Sequence, residues 1–380
     1  MVTVGGTETS SGPPPREPRS RASILAAVGL GAGLALGALF SGGAQPEDPS
    51  PDTVVPDPES SPTSTIPSTT TTDVVEPRLA TLVPGLLDVV IASGFDLNGS
   101  QAVTLWEPAD RLPMRVPRPW GDFTTDASAS WLAVVTPARW VDGFTLWVGN
   151  PAHMEPVSTT VGGSPVWHAW RPGNLAWTEP TESGWVIVTA EFAPGRAATP
   201  TPVANLAESA SLVAWWQPGF LVQTPDSLQL WDGTGTLIRE VADVQAVTGV
   251  GRELVSVLDA AGEPFAYDTE LNPLGPPAWG ADCVRAVWSP GGVSAAALCG
   301  FGEEQRFEYW TDPFNTSEPL FVEPERDFTD LGFTTNGMPY VVWTDPIRPS
   351  SAILFFHPAD ASVHVLDHPG RLVAVTTTAG

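Results

Sequence analysis

VRAVWSPG (284–291), VSAAALC (293–299) and FEYWTDP (307–313) follow one another with only short polar breaks between them. Each run is seven or eight residues long and rich in β-branched, small apolar or aromatic residues, too short for a stable helix and suited to a strand. The first ends in Pro-Gly, where proline presets φ for one turn position and glycine supplies the positive φ that follows. The unit therefore reads strand, tight turn, strand, polar turn, strand.

The same unit recurs on both sides. Runs resembling FEYWTDP lie at AVTLWEP around Trp106, FTLWVGN around Trp147, WVIVTAEF around Val188, SLQLWDG around Trp231, PFAYDTE around Tyr267 and AILFFHP around Phe356. Successive markers, Trp310 included, stand 41, 41, 43, 36, 43 and 46 residues apart, the period of four-stranded propeller blades. Each is preceded by a second run: LLDVVIAS (86–93), WLAVVTP (131–137), NLAWTEP (174–180), FLVQTP (220–225), ELVSVLD (253–259) and PYVVWTD (339–345) complete the series. VWHAWRPG (166–173) and LVAWWQPG (212–219) repeat the leading Pro-Gly run, ATLVPG (80–85) is a shorter echo, and LIREVA (237–242) and PLFVEP (319–324) read as weaker outer strands.

An all-β propeller of four-stranded blades follows, with seven blades expected and six or eight as the alternatives. A pair of β-sandwiches also has evenly spaced strands but does not account for one unit recurring at one spacing. RLVAVTTT (371–378), after Gly370, is expected to pair with the first blade near residues 79–83 and close the ring. Nearly all 16 Trp are read as core between blades, where wide sheet faces leave room for large aromatics.

Trp288-Ser289-Pro290-Gly291-Gly292 before residues 293–298, and Trp170-Arg171-Pro172-Gly173 before Leu175-Ala176-Trp177, resemble the W-S-P-D-G-x-x-L-A repeat of TolB-type, WD-repeat-like propellers. The acidic residue of that motif is missing in all three Pro-Gly runs, Gly-His is absent, and Trp-Asp occurs once, at Trp231-Asp232. The resemblance implies a fold and no particular activity.

Composition narrows the function. The chain has 380 residues with 43 Asp+Glu against 17 Lys+Arg, a formal net charge of −26, and every basic residue is arginine. Such acidity excludes tracking a nucleic-acid backbone. The absence of lysine excludes P-loop and Schiff-base chemistry, and no cofactor motif is present. Nine of the 43 acids precede residue 78, leaving 34 against 14 Arg in residues 78–380, a net −20 that belongs to the folded region and favours a cationic partner.

Residues 1–22 are Gly/Ser/Pro-rich with Arg16, Arg19 and Arg21, and are read as a disordered cytoplasmic leader. Residues 23–42 open with SILAAVGLGAGLALGALF, an uncharged run that as a helix covers about 27 Å, near the ~30 Å of a hydrocarbon core. A transmembrane signal anchor with its N-terminus inside is expected, a cleaved signal peptide before Gln45 being the alternative. Residues 43–77 form a Pro/Ser/Thr-rich acidic linker, and residues 78–380 the propeller. The folded region is thus expected outside the cell membrane, or secreted if the leader is cleaved.

Few residues suggest chemistry. Cys283 and Cys299 flank the turn at Gly291 almost symmetrically, so a hairpin brings them opposite each other and export favours a structural disulfide. His357, His364 and His368 with Asp360 and Asp367 form the one His/carboxylate cluster, but four-residue spacing across a strand end does not put ligands on one face. Asp96-Leu97-Asn98-Gly99-Ser100 begins like a calcium loop yet lacks its later ligands, and Asn-Gly reads more simply as a hairpin turn. Asn98 and Asn315 head Asn-x-Ser/Thr patterns. No Gly-x-Ser-x-Gly elbow occurs, and catalytic residues are not identifiable. The expected function is a non-catalytic binding or scaffold propeller of the cell envelope, its partner an envelope protein or other extracytoplasmic ligand. The alternative is an exported glycan-active enzyme using carboxylates from separate blades.

Overall fold

The computed structural model describes residues 83–378 except 109–113, 117–120, 127, 138–142, 151–152, 302–304, 324–326 and 346, with only the backbone at 114–116. The leader, the apolar run and the linker read from the sequence lie outside these residues.

Among the described residues, twenty-eight strands form seven four-stranded antiparallel sheets. In the first blade, β1 (Val89–Phe95), β2 (Gln101–Trp106) and β3 (Met114–Val116) run outward in order. The second contains β4 (Asp122–Thr125), β5 (Leu132–Pro137), β6 (Phe144–Asn150) and β7 (His153–Val161). The third contains β8 (Val166–Trp167), β9 (Asn174–Thr181), β10 (Gly184–Glu191) and β11 (Thr201–Leu206). The fourth is β12 (Ser211–Trp215), β13 (Phe220–Gln223), β14 (Ser227–Trp231) and β15 (Leu237–Ala242). The fifth is β16 (Val244–Val250), β17 (Leu254–Asp259), β18 (Pro264–Asp268) and β19 (Pro273–Gly275). The sixth is β20 (Cys283–Trp288), β21 (Ala295–Cys299), β22 (Arg306–Trp310) and β23 (Phe321–Glu323). The seventh is β24 (Phe328–Phe333), β25 (Pro339–Thr344), β26 (Ser350–His357) and β27 (Ser362–Pro369). The last strand, β28 (Arg371–Thr378), is the innermost strand of the first blade, on the inner side of β1.

This is a seven-bladed β-propeller. All seven marker positions fall on third strands and all seven preceding runs on second strands. Ring closure differs in detail from the expectation. The partner of β28 is Val89–Phe95, with Val90 opposite Thr377, rather than residues 79–83. The echo ATLVPG is therefore no first strand: its described part, Val83–Gly85, lies in a turn ahead of β1, and β28 fills the position it was assigned.

The core is divided into wedges. Seven clusters of buried side chains each join residues of two consecutive blades. Trp177 (third blade) lies against Ala133 and Leu146 (second), and Trp216 (fourth) against Val255 and Val257 (fifth). Both indoles are nearly inaccessible, and the Trp216 Nε1–H reaches across to the Gly251 carbonyl at 3.1 Å. A buried aromatic of this size stabilises through its area, and the cross-blade hydrogen bond fixes its orientation.

Strand alternation places turns between first and second, and third and fourth, strands on one face, here the Pro-Gly face. Turns between second and third strands, and the connections to the next blade, lie on the other, the crossover face. Gly173 takes φ 72 after Pro172, whereas after Pro290 it is the second glycine, Gly292, that takes φ 71. A Cβ at Gly173 would stand 2.3 Å from the Phe192 carbonyl oxygen, so this turn admits no other residue.

Elsewhere an aspartate does the work of the Pro-Gly pair. Oδ1 of Asp96, Asp232, Asp259 and Asp268 each accepts the N–H groups two and four residues on. The residue between them takes positive φ in all four: Gly99, Gly235, Gly262 and Leu271. Backbone N–H bonds hold the Asp232 and Asp345 carboxyls below the usual range, so these turns are built for the ionised form. Part of the domain's acidity is turn chemistry.

Candidate functional site

In a propeller the first strands line a central channel, and what their side chains offer decides what the channel can do. Three charged residues from three blades act on one another there, toward the crossover face: Asp122 of β4, Arg285 of β20 and Asp330 of β24. Arg285 Nη2 donates to Asp330 Oδ1. The Leu331 N–H also donates to that oxygen at 2.9 Å, and the Val375 N–H of β28 donates to Asp330 Oδ2 at 2.8 Å. Asp330 thereby ties the sixth, seventh and first blades at the point where the ring closes. Behind it the buried Tyr340 hydroxyl donates to the Val375 carbonyl at 2.9 Å, and burial holds its phenol well above the usual range. Asp122 keeps open surface in the channel, yet the surrounding walls raise its carboxyl, Asp330 raises it further and Arg285 draws it back.

On the Pro-Gly face an aromatic and a cationic side chain from neighbouring turns meet. Trp170, in the turn after β8, stays 47% exposed, and the Arg252 guanidinium from the turn after β16 stands 5.7 Å from its ring centroid. Such a contact is worth about 0.5–1 kcal/mol at an exposed site. The Trp170 turn is fixed from beneath: His168 Nδ1 accepts the N–H groups of Trp170 at 3.1 Å and Arg171 at 3.2 Å. From the second blade, buried Asp126 accepts the Gly173 N–H at 3.0 Å, closing the far side of the same turn.

His168 is buried, with its ring 4.9 Å from Trp215, and burial together with Arg171 lowers its pKa to about 4. Only the neutral ring has an acceptor nitrogen, so the turn requires it. An unfolded histidine titrates near 6.5, so the stabilisation is complete above that pH and is lost as pH falls toward 4. Urea unfolding should show about 3 kcal/mol of stability lost through His168 over this interval. In His168→Asn, which keeps an acceptor but does not titrate, that component of the pH slope should disappear. An unchanged slope between pH 6.5 and 4 would place the protonation elsewhere.

The residues singled out in the sequence fall as follows. Cys283 and Cys299 are register partners on β20 and β21, joined by a disulfide. Beside them Arg306 donates to Glu308 and, at 2.8 Å, to Asp282. The histidines are not brought together: His357 Nδ1 pairs with Asp360 at 2.9 Å, His364 Nε2 with the Ser362 hydroxyl at 2.9 Å, and His368 Nε2 with Thr104 at 3.3 Å. His368 is buried against Trp106, at the other end of β27 from Ser362, and burial lowers its pKa. Among the described residues the one group with metal-ligand proximity is Cys283, Cys299 and Glu308, and its sulfurs are already bonded to each other. The Asp96 loop is a hairpin turn between β1 and β2, its Oδ1 occupied by backbone N–H groups. Asn98 and Asn315 are both exposed, and Asn315 Nδ2 donates to Asp312 at 2.7 Å.

Sequence reading missed the Asp122–Arg285–Asp330 group and the Trp170–Arg252 pair. Their members are far apart in the chain, and the repeat motifs that hold Trp170 and Arg285 mark strands and turns, not a site; only the ring brings them together.

No protein-family model and no curated protein sequence matches this chain. Solved structures do. A putative 6-phosphogluconolactonase from Bacteroides uniformis aligns with TM-score 0.52 and 10% identity over 77% of this chain and 100% of that one. TolB from Acinetobacter baumannii aligns with TM-score 0.48 and 10% identity over 77% of this chain and 66% of TolB, so the chain spans just under two thirds of TolB's length. The likeness to the lactonase is one of fold alone, and it agrees with the seven sheets described above.

Proposed function

We propose that this protein is a membrane-anchored, extracytoplasmic propeller that serves as a non-catalytic binding or scaffold module of the cell envelope. The state of the channel carboxylates carries the reading. A carboxylate-dependent hydrolase needs an acid and a base free to exchange protons with substrate. Asp330, the natural companion of Asp122, has both oxygens engaged by Arg285 and by the N–H groups of Leu331 and Val375. It acts as a fastening between blades. The apolar run at 23–42, the acidic linker at 43–77 and the disulfide support placement in an oxidising compartment beyond the membrane.

One observation favours the alternative, an exported glycan-active enzyme: the raised carboxyl of Asp122 facing the channel. The two readings separate in one assay. Purified protein screened across glycosidic and lyase substrates should show no turnover, and Asp122→Asn should behave as the parent does. Turnover that vanishes in Asp122→Asn would replace the binding reading with the enzymatic one.

A further inference from the structure

The crossover face is uneven. Among the described residues, the turns between second and third strands in the third, fourth and fifth blades carry Glu182-Ser183, Pro225-Asp226 and Ala260-Ala261 at their tips. In three consecutive blades, the sixth, seventh and first, the corresponding turns each present one large apolar side chain to solvent. These are Phe301, 67% exposed, Ile347, 90% exposed, and Leu97, 62% exposed. Single exposed apolar residues are ordinary, but three at equivalent positions of adjoining blades make a surface.

The tips are held in place. The Ile347 and Arg348 N–H groups donate to Asp345 Oδ1 at 2.8 and 3.0 Å. Leu97 sits inside the loop whose Asn98 and Ser100 N–H groups donate to Asp96. Phe301 follows Gly300, whose N–H donates to the Asp282 carbonyl at 3.0 Å, and Arg306 braces Asp282 from the side. Tips fixed in advance lose little conformational freedom when a partner covers them.

The ground between the tips is acidic. Among the described residues of this sector, Asp96, Asp282, Asp327, Asp330, Asp345 and Glu308 stand against Arg285, paired with Asp330, Arg306, paired with Asp282 and Glu308, and Arg348 and Arg371, so carboxylates are in excess. Around the remainder of the same face stand Glu208, Asp226, Asp243 and Asp259. An anionic lipid surface would be repelled here, whereas a basic chain with an apolar side would be attracted and then seated.

We propose that the turn tips Leu97, Phe301 and Ile347 form a docking surface for a basic amphipathic polypeptide segment of a partner protein. The inference rests on the binding-module reading and names that module's partner by its chemistry. Three apolar anchors supply the contact and the surrounding carboxylates select the charge.

The test uses the full chain in phosphatidylcholine nanodiscs and three probes: an amphipathic Lys/Leu peptide, its Glu/Leu counterpart, and phosphatidylglycerol vesicles. The Lys/Leu peptide should bind, more weakly as salt rises, and the other two should not. Replacing Leu97, Phe301 and Ile347 together by serine leaves the charge unchanged and should weaken peptide binding about tenfold or more. Leu237→Ser with Ile238→Ser, on the outer strand β15, should leave it as it was. Peptide binding that survives the triple change would reduce the effect to bulk charge and overturn the proposal. Vesicle binding lost in the triple variant would overturn it in favour of a lipid surface. Turnover abolished by Asp122→Asn would defeat the binding-module reading alone, because the peptide result does not depend on that residue.

Discussion

Removal of residues 371–378 is expected to abolish cooperative folding of the propeller. The strand lost is β28, which makes seven register pairs with β1 and contributes the buried side chains Leu372, Ala374 and Val375. Burial of each large aliphatic is worth about 1.5–3 kcal/mol, and each ladder hydrogen bond about 0.5–1.5 kcal/mol. Removal also strips the Tyr340 hydroxyl of its buried acceptor and Asp330 of the Val375 N–H. The sum exceeds a large part of the roughly 5–15 kcal/mol that stabilises an ordinary domain. Near- and far-ultraviolet circular dichroism during heating measures it. A synthetic peptide of residues 371–378 should restore part of the transition by adding back the strand. A truncated chain that melts cooperatively within a few degrees of the parent would show that the ring does not depend on this closure.

Asp330→Ala is expected to cost about 3–5 kcal/mol, the range for removing one partner of a mostly buried charge pair. Its side chain is 12% exposed, and its loss leaves the Val375 N–H without this acceptor and the Arg285 guanidinium with the Thr329 carbonyl, at 3.5 Å, in place of a carboxylate. Arg285 is nearly half exposed, so water recovers part of the loss and the lower end of the range is favoured. Asp122→Asn is the matching control. Burial and Asp330 both disfavour its charged form, so neutralising it should leave urea unfolding unchanged or slightly improved. If Asp330→Ala unfolds at the parent's urea concentration, the carboxylate is not a fastening, and its availability for proton transfer must be reconsidered.

Much of this fold is legible in the sequence because every blade interface except the one that closes the ring, between the seventh and first blades, is made by residues within one or two repeat lengths. The aromatic markers are third strands since Trp106, Trp310 and Phe356 must each fill the wedge toward a neighbouring blade. The Pro-Gly runs locate β8, β12 and β20 for a local reason, the turn that ends them. Legibility fails at β4, β16 and β24. Their sequences DFTT, VQAVTGV and FTDLGF are short or partly polar because one side of a first strand faces the channel, which weakens the alternation. Their turns use an Asp126 cap, a tight Gly251 turn and a Thr334 cap in place of Pro-Gly.

The candidate site was not legible at all. Arg285 is visible in the sequence only as the polar member of VRAVWSPG, and nothing local says that Asp330 and Asp122 will stand beside it. The disulfide was legible because hairpin symmetry is local, as was the reading of Asp96 as a turn. The acidity was legible as a total but not as a use. Aspartates at hairpin tips are consumed by backbone N–H groups, whereas those around Leu97, Phe301 and Ile347 also set the charge of a surface.

Val89 and Thr378 are register partners at one edge of a single sheet. The propeller consequently has no intrinsic first blade; the position of the seam is an accident of where the chain happens to be opened. A short hairpin joining Thr378 to Val89, with new ends cut at the exposed turn around Asp243, would give a circularly permuted ring in which every sheet is built from strands consecutive in the chain. In the natural order, by contrast, the innermost strand of the first blade follows the other strands of the ring in the chain, and the first sheet stays incomplete until they have been made.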